Sequence, residues 1–176
     1  MPAPDLSRIP VFYHNYVRQV AGDHLPDAFS AGTKTIISFL EQVPEEKRTY
    51  RYAEGKWTIK DILQHITDSE RVFAYRALCF ARLDPAPLPG FDENNFAAHA
   101  GAGRRAWNDL LDEFKTVRRS SEMLFASFDE KQLDAEGIAN GNSIYVLGIG
   151  YIMVGHPLHH MNIIRERYLA PAAPAH

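Results

Sequence analysis

The sequence predicts an all-α protein, a four-helix bundle of the up-down-down-up kind. Apolar residues recur with helical spacing in four long stretches, near residues 25–43, 58–83, 104–128 and 144–169. Sustained alternation of apolar and polar residues, which would indicate half-buried strands, is absent. The long connection after the second helix favours the up-down-down-up order over a simple meander.

The first long helix has clear limits in the sequence. A short helical segment, Val11 to Val20, comes before it. Pro26 suits its first turn, because the N–H that proline lacks would have no helical partner there. Pro44 marks the stop, since proline cannot continue a helix without loss of a hydrogen bond.

The second helix gives the clearest pattern. Thr58 can cap its N-terminus, and Asp61 three residues later completes a weak version of the capping box. Apolar residues then recur with helical spacing from Ile59 to Phe80. Three prolines between positions 85 and 89, followed by Gly90, end the helix.

The second half of the chain contains the other two helices. The segment from Phe91 to Gly103 is polar and contains glycine, which predicts a surface loop with little regular structure. The third helix follows, from about Arg104 to Phe128. The run Asn140-Gly141-Asn142 predicts a turn, after which Asn142 or Ser143 can cap the fourth helix.

Length and composition indicate one ordinary globular domain. A chain of 176 residues, 45% hydrophobic and 23% charged, can bury a core of its own. We expect a single domain over residues 1–169 and a frayed Ala/Pro tail over residues 170–176. The net charge of −3 comes without a basic stripe, so a nucleic-acid partner is not expected.

The expected compartment is the cytoplasm. The one cysteine, Cys79, excludes an intrachain disulfide and agrees with a reducing environment. The N-terminus shows neither a positive region nor an apolar region of a signal peptide. The longest nearly apolar run, Ile144 to Gly155, is too short to span a bilayer, so no membrane partner is expected.

Three histidines are the candidate functional residues. His156 and His160 stand four residues apart, which places both rings on one face of the fourth helix, and that face points into the bundle. His65 flanks the apolar stripe of the second helix. Buried imidazoles need partners, because an unpaired buried polar group costs a few kcal/mol.

Two interpretations of these histidines stay open from the residues alone. A divalent metal would satisfy all three lone pairs and leave further coordination positions free, as a catalytic site needs. Alternatively, the rings are hydrogen-bonded core residues, and a pair spaced as His-x-x-x-His often arises by chance. For the pair alone, the second outcome is the more frequent one.

A resemblance to a known family bears on this choice. It rests on five segments taken together and in order: Arg51–Asp61, His65–Arg71, Tyr75–Leu78, Pro87–Asn94 and Gly155–Ile163. Together they resemble the DinB/YfiT-like superfamily, over about Tyr50 to Leu169. The resemblance implies a four-helix bundle with a divalent site of the zinc or nickel type. Its three ligands would be His65, His156 and His160.

Several neighbours could modify such a site. Pro157, between the two ligands of the last helix, predicts a local kink because its ring crowds the carbonyl of Met153. Asp61 and Asp68 could accept the second ring N–H of His65, or could be ordinary solvated carboxylates.

The remaining histidines are not expected to be ligands. His159 points about 100° away from His160 around the helix, which places it beside the site or on the surface. His14, His24 and His99 have no paired partner in the sequence and are best interpreted as exposed or capping residues.

The resemblance implies two chemistries for a metal-dependent enzyme acting on a small molecule. Some relatives are S-transferases that use a low-molecular-weight thiol such as bacillithiol or mycothiol, and others are described only as metal-dependent hydrolases. No unambiguous general base is evident, so the catalytic residues are unknown. A non-catalytic, stress-related metal-binding protein is the alternative from another class. The expected partner is a small substrate, and a homodimer is one possible assembly.

Overall fold

Four long helices and one small hairpin build the described part of this computed structural model, residues 3–20, 22 and 24–170. The α-helices are α1 His14–Val17, α2 Leu25–Glu41, α3 Ile59–Ala81, α4 Glu93–Ala100, α5 Trp107–Ala126, α6 Glu130–Asp134 and α7 Val146–Ile163. The hairpin strands are β1 Glu136–Ala139 and β2 Asn142–Tyr145. Short 3₁₀ turns lie at Leu6–Arg8, Val11–Tyr13, Glu45–Lys47 and Ala102–Arg104, and a π-helical turn, Ile164–Leu169, extends α7.

Helices α3 and α5 lie side by side and run in the same direction. The Lys60 ammonium donates to the carbonyl of Arg105 at 2.6 Å, near the start of both helices. Further along, Arg118 donates to Glu70 at 2.8 Å. The later residue of α3 contacts the later residue of α5, so the two helices are parallel.

The other pairings complete the up-down-down-up order. In α2 and α5, Thr33 contacts Glu122 whereas the later Glu41 contacts the earlier Lys115, so these helices are antiparallel. Gly32 of α2 lies against Val154, and Leu25 against Gly150, so α2 and α7 are parallel. Because α3 runs parallel to α5, it runs antiparallel to both α2 and α7. The directions of α2, α3, α5 and α7 are therefore up, down, down and up, which confirms the predicted topology.

Local signals at helix starts behave as the sequence predicts. The Thr58 hydroxyl accepts the N–H of Asp61, and the Asp61 carboxylate accepts the N–H of Thr58 at 2.9 Å, so the capping box is complete. Pro26 lies in the first turn of α2. Three of the long helices end two residues earlier than predicted: α2 at Glu41, α3 at Ala81 and α5 at Ala126.

The segment from Phe91 to Gly103 lies largely at the surface as predicted, but the expectation that it is a loop with little regular structure is wrong. That segment contains α4, whose cap Asp92 accepts the N–H groups of Asn94 and Asn95. Gly101, at φ 67°, ends the helix in the left-handed conformation that glycine adopts without strain. None of the α4 residues is buried. A helix that buries no side chains does not need apolar residues at helical spacing, so the sequence pattern did not reveal α4.

The prediction that Asn142 or Ser143 caps the last helix is also wrong. Both residues belong to β2, which pairs with β1 in the register Ala139↔Asn142 to Glu136↔Tyr145. The predicted turn itself is confirmed: Asn140 and Gly141 have φ of 50° and 73°, as a tight hairpin turn requires. Tyr145 then stands at the N-cap of α7.

Two apolar clusters fill the bundle, one at each end. The first surrounds the N-terminal half of α7 and includes Phe80, Phe125 and Ile149. The second surrounds the start of α3 and the end of α7 and includes Leu63 and Ile164. Between the clusters, α3, α5 and α7 bring buried polar side chains together. Among the described residues, no helix is both long and apolar enough to cross a membrane.

Candidate metal centre

The three predicted histidines meet between the two apolar clusters. His65 comes from α3, and His156 and His160 come from adjacent turns of α7, which runs antiparallel to α3. The Nε2 atom of His156 lies 3.1 Å from Nε2 of His65 and 3.0 Å from Nε2 of His160. The ligand atoms of all three rings lie within 4.8 Å of one another. Side chains 91 residues apart in the sequence therefore share one point in the fold.

Aromatic rings fix the orientation of these imidazoles. The Trp57 ring packs on His65 with a centroid separation of 4.8 Å, and Phe73 lies edge-on to His156 at 6.1 Å. Tyr16 covers the other side of His156 at 5.3 Å. Helix α1 can come this close because Gly155 has no side chain: an added Cβ would clash with the carbonyl oxygen of Tyr16.

Burial keeps the three rings neutral. It lowers the pKa of His65 from 6.5 to about 4. Burial, together with the neighbouring imidazoles, lowers the pKa of His160 to about 3 and moves the pKa of His156 well below its usual value. Since His65 and His156 are only 8% and 5% exposed, water reaches them poorly. Neutral imidazole is the form that binds metal ions.

The cluster fits a divalent ion better than it fits a set of internal hydrogen bonds. A neutral imidazole has one N–H and one lone pair, so Nε2 of His156 cannot form a good hydrogen bond with both neighbouring Nε2 atoms at once. Nitrogens that share a tetrahedral ion at 2.0–2.1 Å lie roughly 3.3 Å apart. The two observed separations are close to that value, so a small shift of the side chains would accommodate zinc-like coordination.

A cavity reaches the cluster from the side of His160. Its volume is about 260 Å³, and Tyr52, Trp57, Ile163 and Tyr168 contribute to its walls. The Tyr168 hydroxyl donates to the carbonyl of Trp57 at 2.8 Å, so the π-helical turn after α7 holds the loop that carries Trp57. Single π-helical turns often lie at functional sites.

A second, more polar cavity adjoins the first. It has a volume of about 700 Å³, shares Lys56, Trp57 and Asn94 with the first cavity, and adds Arg51 and Asp61. Helix α4, which the sequence did not predict, supplies Asn94. Together the two cavities provide space for a small polar molecule beside the histidines.

The predicted partners of His65 are engaged elsewhere. Asp61 takes part in the helix cap, and Asp68 accepts from Gln64 at 2.9 Å and from Arg71 at 3.3 Å. The interpretation of both as ordinary helix carboxylates is therefore the better one. His159 is half-buried, with its ring 5.0 Å from Tyr16 and 5.3 Å from His160, outside the cluster.

The other histidines bond locally, in agreement with their predicted roles. His14 contacts the carbonyls of Leu6 and Ile9. His24 at the N-cap of α2 bonds to Asp27 at 2.9 Å, and His99 bonds to the carbonyl of Asn95 at 2.8 Å.

One buried ion pair was not predicted. Arg118 and Glu70 have side chains that are 1% and 2% exposed, and they pair at 2.8 Å between α5 and α3. Arg118 also donates to the carbonyl of Met153 on α7 at 2.8 Å. Burial raises the pKa of Glu70, and the charge of Arg118 opposes that change. Three of the four long helices are thus joined one turn away from the histidines.

The sequence around these histidines matches a known protein family. The family model of the DinB superfamily matches residues 28–164, more than three quarters of the chain. The chain belongs to the DinB superfamily. All three clustered histidines lie within the matched range. A comparison with curated protein sequences gives no significant match.

Solved structures confirm the fold of this DinB-superfamily protein. YfiT from Bacillus subtilis superposes with a TM-score of 0.67 at 16% identity, over 80% of this chain and 84% of YfiT. That protein is described as a probable metal-dependent hydrolase with an unusual four-helix bundle topology. A DinB-like protein of the same bacterium, YjoA, superposes with a TM-score of 0.58 at 17% identity, over 86% of this chain and 95% of YjoA.

Proposed function

We propose that this protein is a metal-dependent enzyme that acts on a small molecule, with His65, His156 and His160 as the metal ligands. The observation that supports this most directly is the convergence of three neutral imidazoles, one of which, His160, lines a cavity. A site with three protein ligands leaves coordination positions for a water or a substrate, whereas a structural site is usually closed by four.

Zinc or nickel is the proposed ion. Zinc accepts three imidazoles in tetrahedral catalytic sites, and imidazole also suits nickel. An ion held here would lower the pKa of a bound water or thiol and polarise an electrophile. The protein's own contribution would be to hold the three nitrogens, with Trp57 and Phe73 packed around them to limit solvent.

We propose thiol S-transfer as the reaction, with a low-molecular-weight thiol as one substrate. Aromatic rings and Lys56 line the cavity beside His160, and the adjoining cavity adds Arg51, whose guanidinium lies 4.0 Å from the Asp61 carboxylate. This combination suits a small molecule that has ionised groups at one end and a sulfur atom at the other. The cationic side chains would bind the ionised groups while the sulfur reaches the ion.

Metal-dependent hydrolysis is the second candidate. The description of YfiT as a probable metal-dependent hydrolase favours it. Hydrolysis would use the same three ligands, with water in the place of the thiol. A non-catalytic metal-binding protein is the third possibility, and a coordination sphere without exchangeable positions would favour it. A cytoplasmic location and a homodimer stay predictions.

A cobalt-substituted protein distinguishes these candidates. Addition of a low-molecular-weight thiol should produce a sulfur-to-cobalt charge-transfer band if the ion has an open position facing the cavity. The band should be lost in His156→Ala, since removal of one of three ligands loosens the ion. Cobalt binding without any thiol band would refute S-transfer and make hydrolysis the leading candidate. A protein that binds no divalent ion would refute the proposal as a whole.

A further inference from the structure

Pro157 interrupts the hydrogen bonding of α7 next to the proposed ligand His156. In a regular helix, the N–H of residue 157 would donate to the carbonyl of Met153, four residues earlier. Proline has no N–H, so this carbonyl loses its helical donor. Nevertheless α7 continues as one helix from Val146 to Ile163, with Met153 fully buried. A buried carbonyl without a donor is costly, so the position requires a substitute.

Arg118 provides that substitute from the neighbouring helix. Its Nη2 atom donates to the Met153 carbonyl at 2.8 Å and to the Glu70 carboxylate at 2.8 Å. The guanidinium also lies 5.3 Å and 5.6 Å from the ring centroids of Phe29 and Phe114. A buried cation fixed by a carboxylate and two aromatic rings has little freedom to move.

The location of this contact links it to the histidines. Met153 is three residues before His156 on α7, and Glu70 is five residues after His65 on α3. Arg118 therefore connects the two helices that carry the proposed ligands. Movement of the Met153 carbonyl would move the next turn of α7, which contains His156. Small displacements matter, because ligand nitrogens must lie within about 0.2 Å of their required distances.

We propose that Arg118 is a positioning residue of the metal centre: it replaces the amide hydrogen that Pro157 lacks and so fixes His156 in place. This inference rests on the proposed metal centre. Glu70 holds the guanidinium in the required direction. The ion pair therefore supplies, from α5, the donor that Pro157 removes from α7.

The test combines two substitutions of the ion pair with one of the proline. Glu70→Met with Arg118→Met replaces both charges by apolar side chains of similar length, which avoids an unpaired buried charge. The same double substitution is then made together with Pro157→Ala, which restores the N–H that can donate to Met153. Zinc affinity is measured for all variants by competition with a chromogenic chelator. Arg119→Met is the matched control, since Arg119 is the next residue of α5 and its side chain is 72% exposed.

A specific pattern of affinities is expected. With Pro157 present, replacement of the ion pair should weaken zinc binding by about tenfold or more, as loss of groups that orient metal ligands commonly does. With Pro157→Ala, the same replacement should weaken it by less than about threefold. Arg119→Met should leave affinity unchanged. Equal weakening in both backgrounds, or none in either, would overturn the inference.

A measurement without metal keeps this inference separate from the proposed function. In the metal-free protein, the ¹³C resonances of the His156 ring should shift on replacement of the ion pair and return with Pro157→Ala. If the unmodified protein binds no divalent ion, zinc and nickel included, the proposed function fails, and these resonances still report whether Arg118 positions the ring. Unchanged His156 resonances in a folded ion-pair variant would overturn the inference.

Discussion

Two groups of buried polar side chains lie between the apolar clusters, and they differ in how their bonding requirements are met. Arg118 finds a carboxylate, a carbonyl and two aromatic faces within the chain. The histidine cluster instead directs three Nε2 atoms at one another. Neutral rings cannot satisfy all of these atoms by mutual hydrogen bonds. In the first group the two charges pair within the chain, although Glu70 Oε1 and Arg118 Nε have no hydrogen-bond partner among the described residues. The second group offers lone pairs that the chain itself cannot satisfy together, which is the arrangement that could hold a metal ion.

The largest expected effect concerns metal retention. His160→Ala should abolish it while the bundle stays helical, because the apolar clusters supply most of the core. Elemental analysis and far-ultraviolet circular dichroism of the purified variant measure both properties. His159→Ala is the control: it removes an adjacent imidazole outside the cluster and should retain the metal. Global unfolding on chelation would contradict this view and indicate a structural ion.

The next effect is a loss of stability. Substitution of one partner of the Arg118–Glu70 pair should lower the free energy of unfolding more than substitution of one histidine does. Arg118→Met alone leaves Glu70 buried without its cation, which should lower the free energy of unfolding by about 3–5 kcal/mol. Urea denaturation of the metal-free protein measures this loss. Replacement of both partners should recover much of it. A single variant as stable as the unmodified protein would show that the pair is not buried in solution.

Of these two groups, the histidine cluster was predicted from the sequence and the ion pair was not. The spacing of His156 and His160 and the family resemblance identified the cluster. The ion pair was missed, although Glu70 follows Ile66 by four residues and Arg118 follows Phe114 by four, so both charges continue an apolar stripe. A charge within a buried stripe is a usable signal when another helix offers the opposite charge. Pro157 gave a further signal, because it leaves the Met153 carbonyl without its helical donor and so predicts a donor from another helix.

In the fold, the features that depend on local chemistry were predicted from the sequence, and those that depend on tertiary contacts were not. The capping box at Thr58 and the turn at Asn140-Gly141 depend on local chemistry, and both were found. Helix α4 and the strands β1 and β2 are short and largely shaped by their neighbours, since Leu88 bridges to Ala139 and the Phe80 ring lies against Gly137. Such tertiary contacts leave no period in the sequence.

A smaller effect should appear as a pH dependence of the metal-free protein. Unfolded histidine titrates near pH 6.5, whereas burial lowers the folded pKa of His65 to about 4. As the pH falls from 6.5 to 4, the unfolded chain therefore binds more protons than the folded one, and stability decreases. The slope should approach ~1.4 kcal/mol per pH unit for each buried histidine.

Matched titrations isolate the histidine contribution from that of the carboxylates. Free energies of unfolding are measured between pH 7 and pH 4 for the unmodified protein and for His65→Gln. The variant should show the shallower slope, because glutamine does not titrate. Parallel curves would mean that His65 is already solvated in the folded state, which contradicts its burial.

The smallest effect is expected from Pro157→Ala alone. The sequence predicts a kink at this proline, and the helix continues through it, so the kink itself stays a prediction. Because Arg118 already donates to the Met153 carbonyl, a restored N–H adds a second donor to an acceptor that has two lone pairs. Metal affinity should therefore change by less than about threefold, far less than on loss of a group that orients a ligand. Chelator competition measures this change, and circular dichroism verifies the helix content. A change of tenfold or more would mean that the proline, rather than Arg118, determines where His156 lies relative to His65.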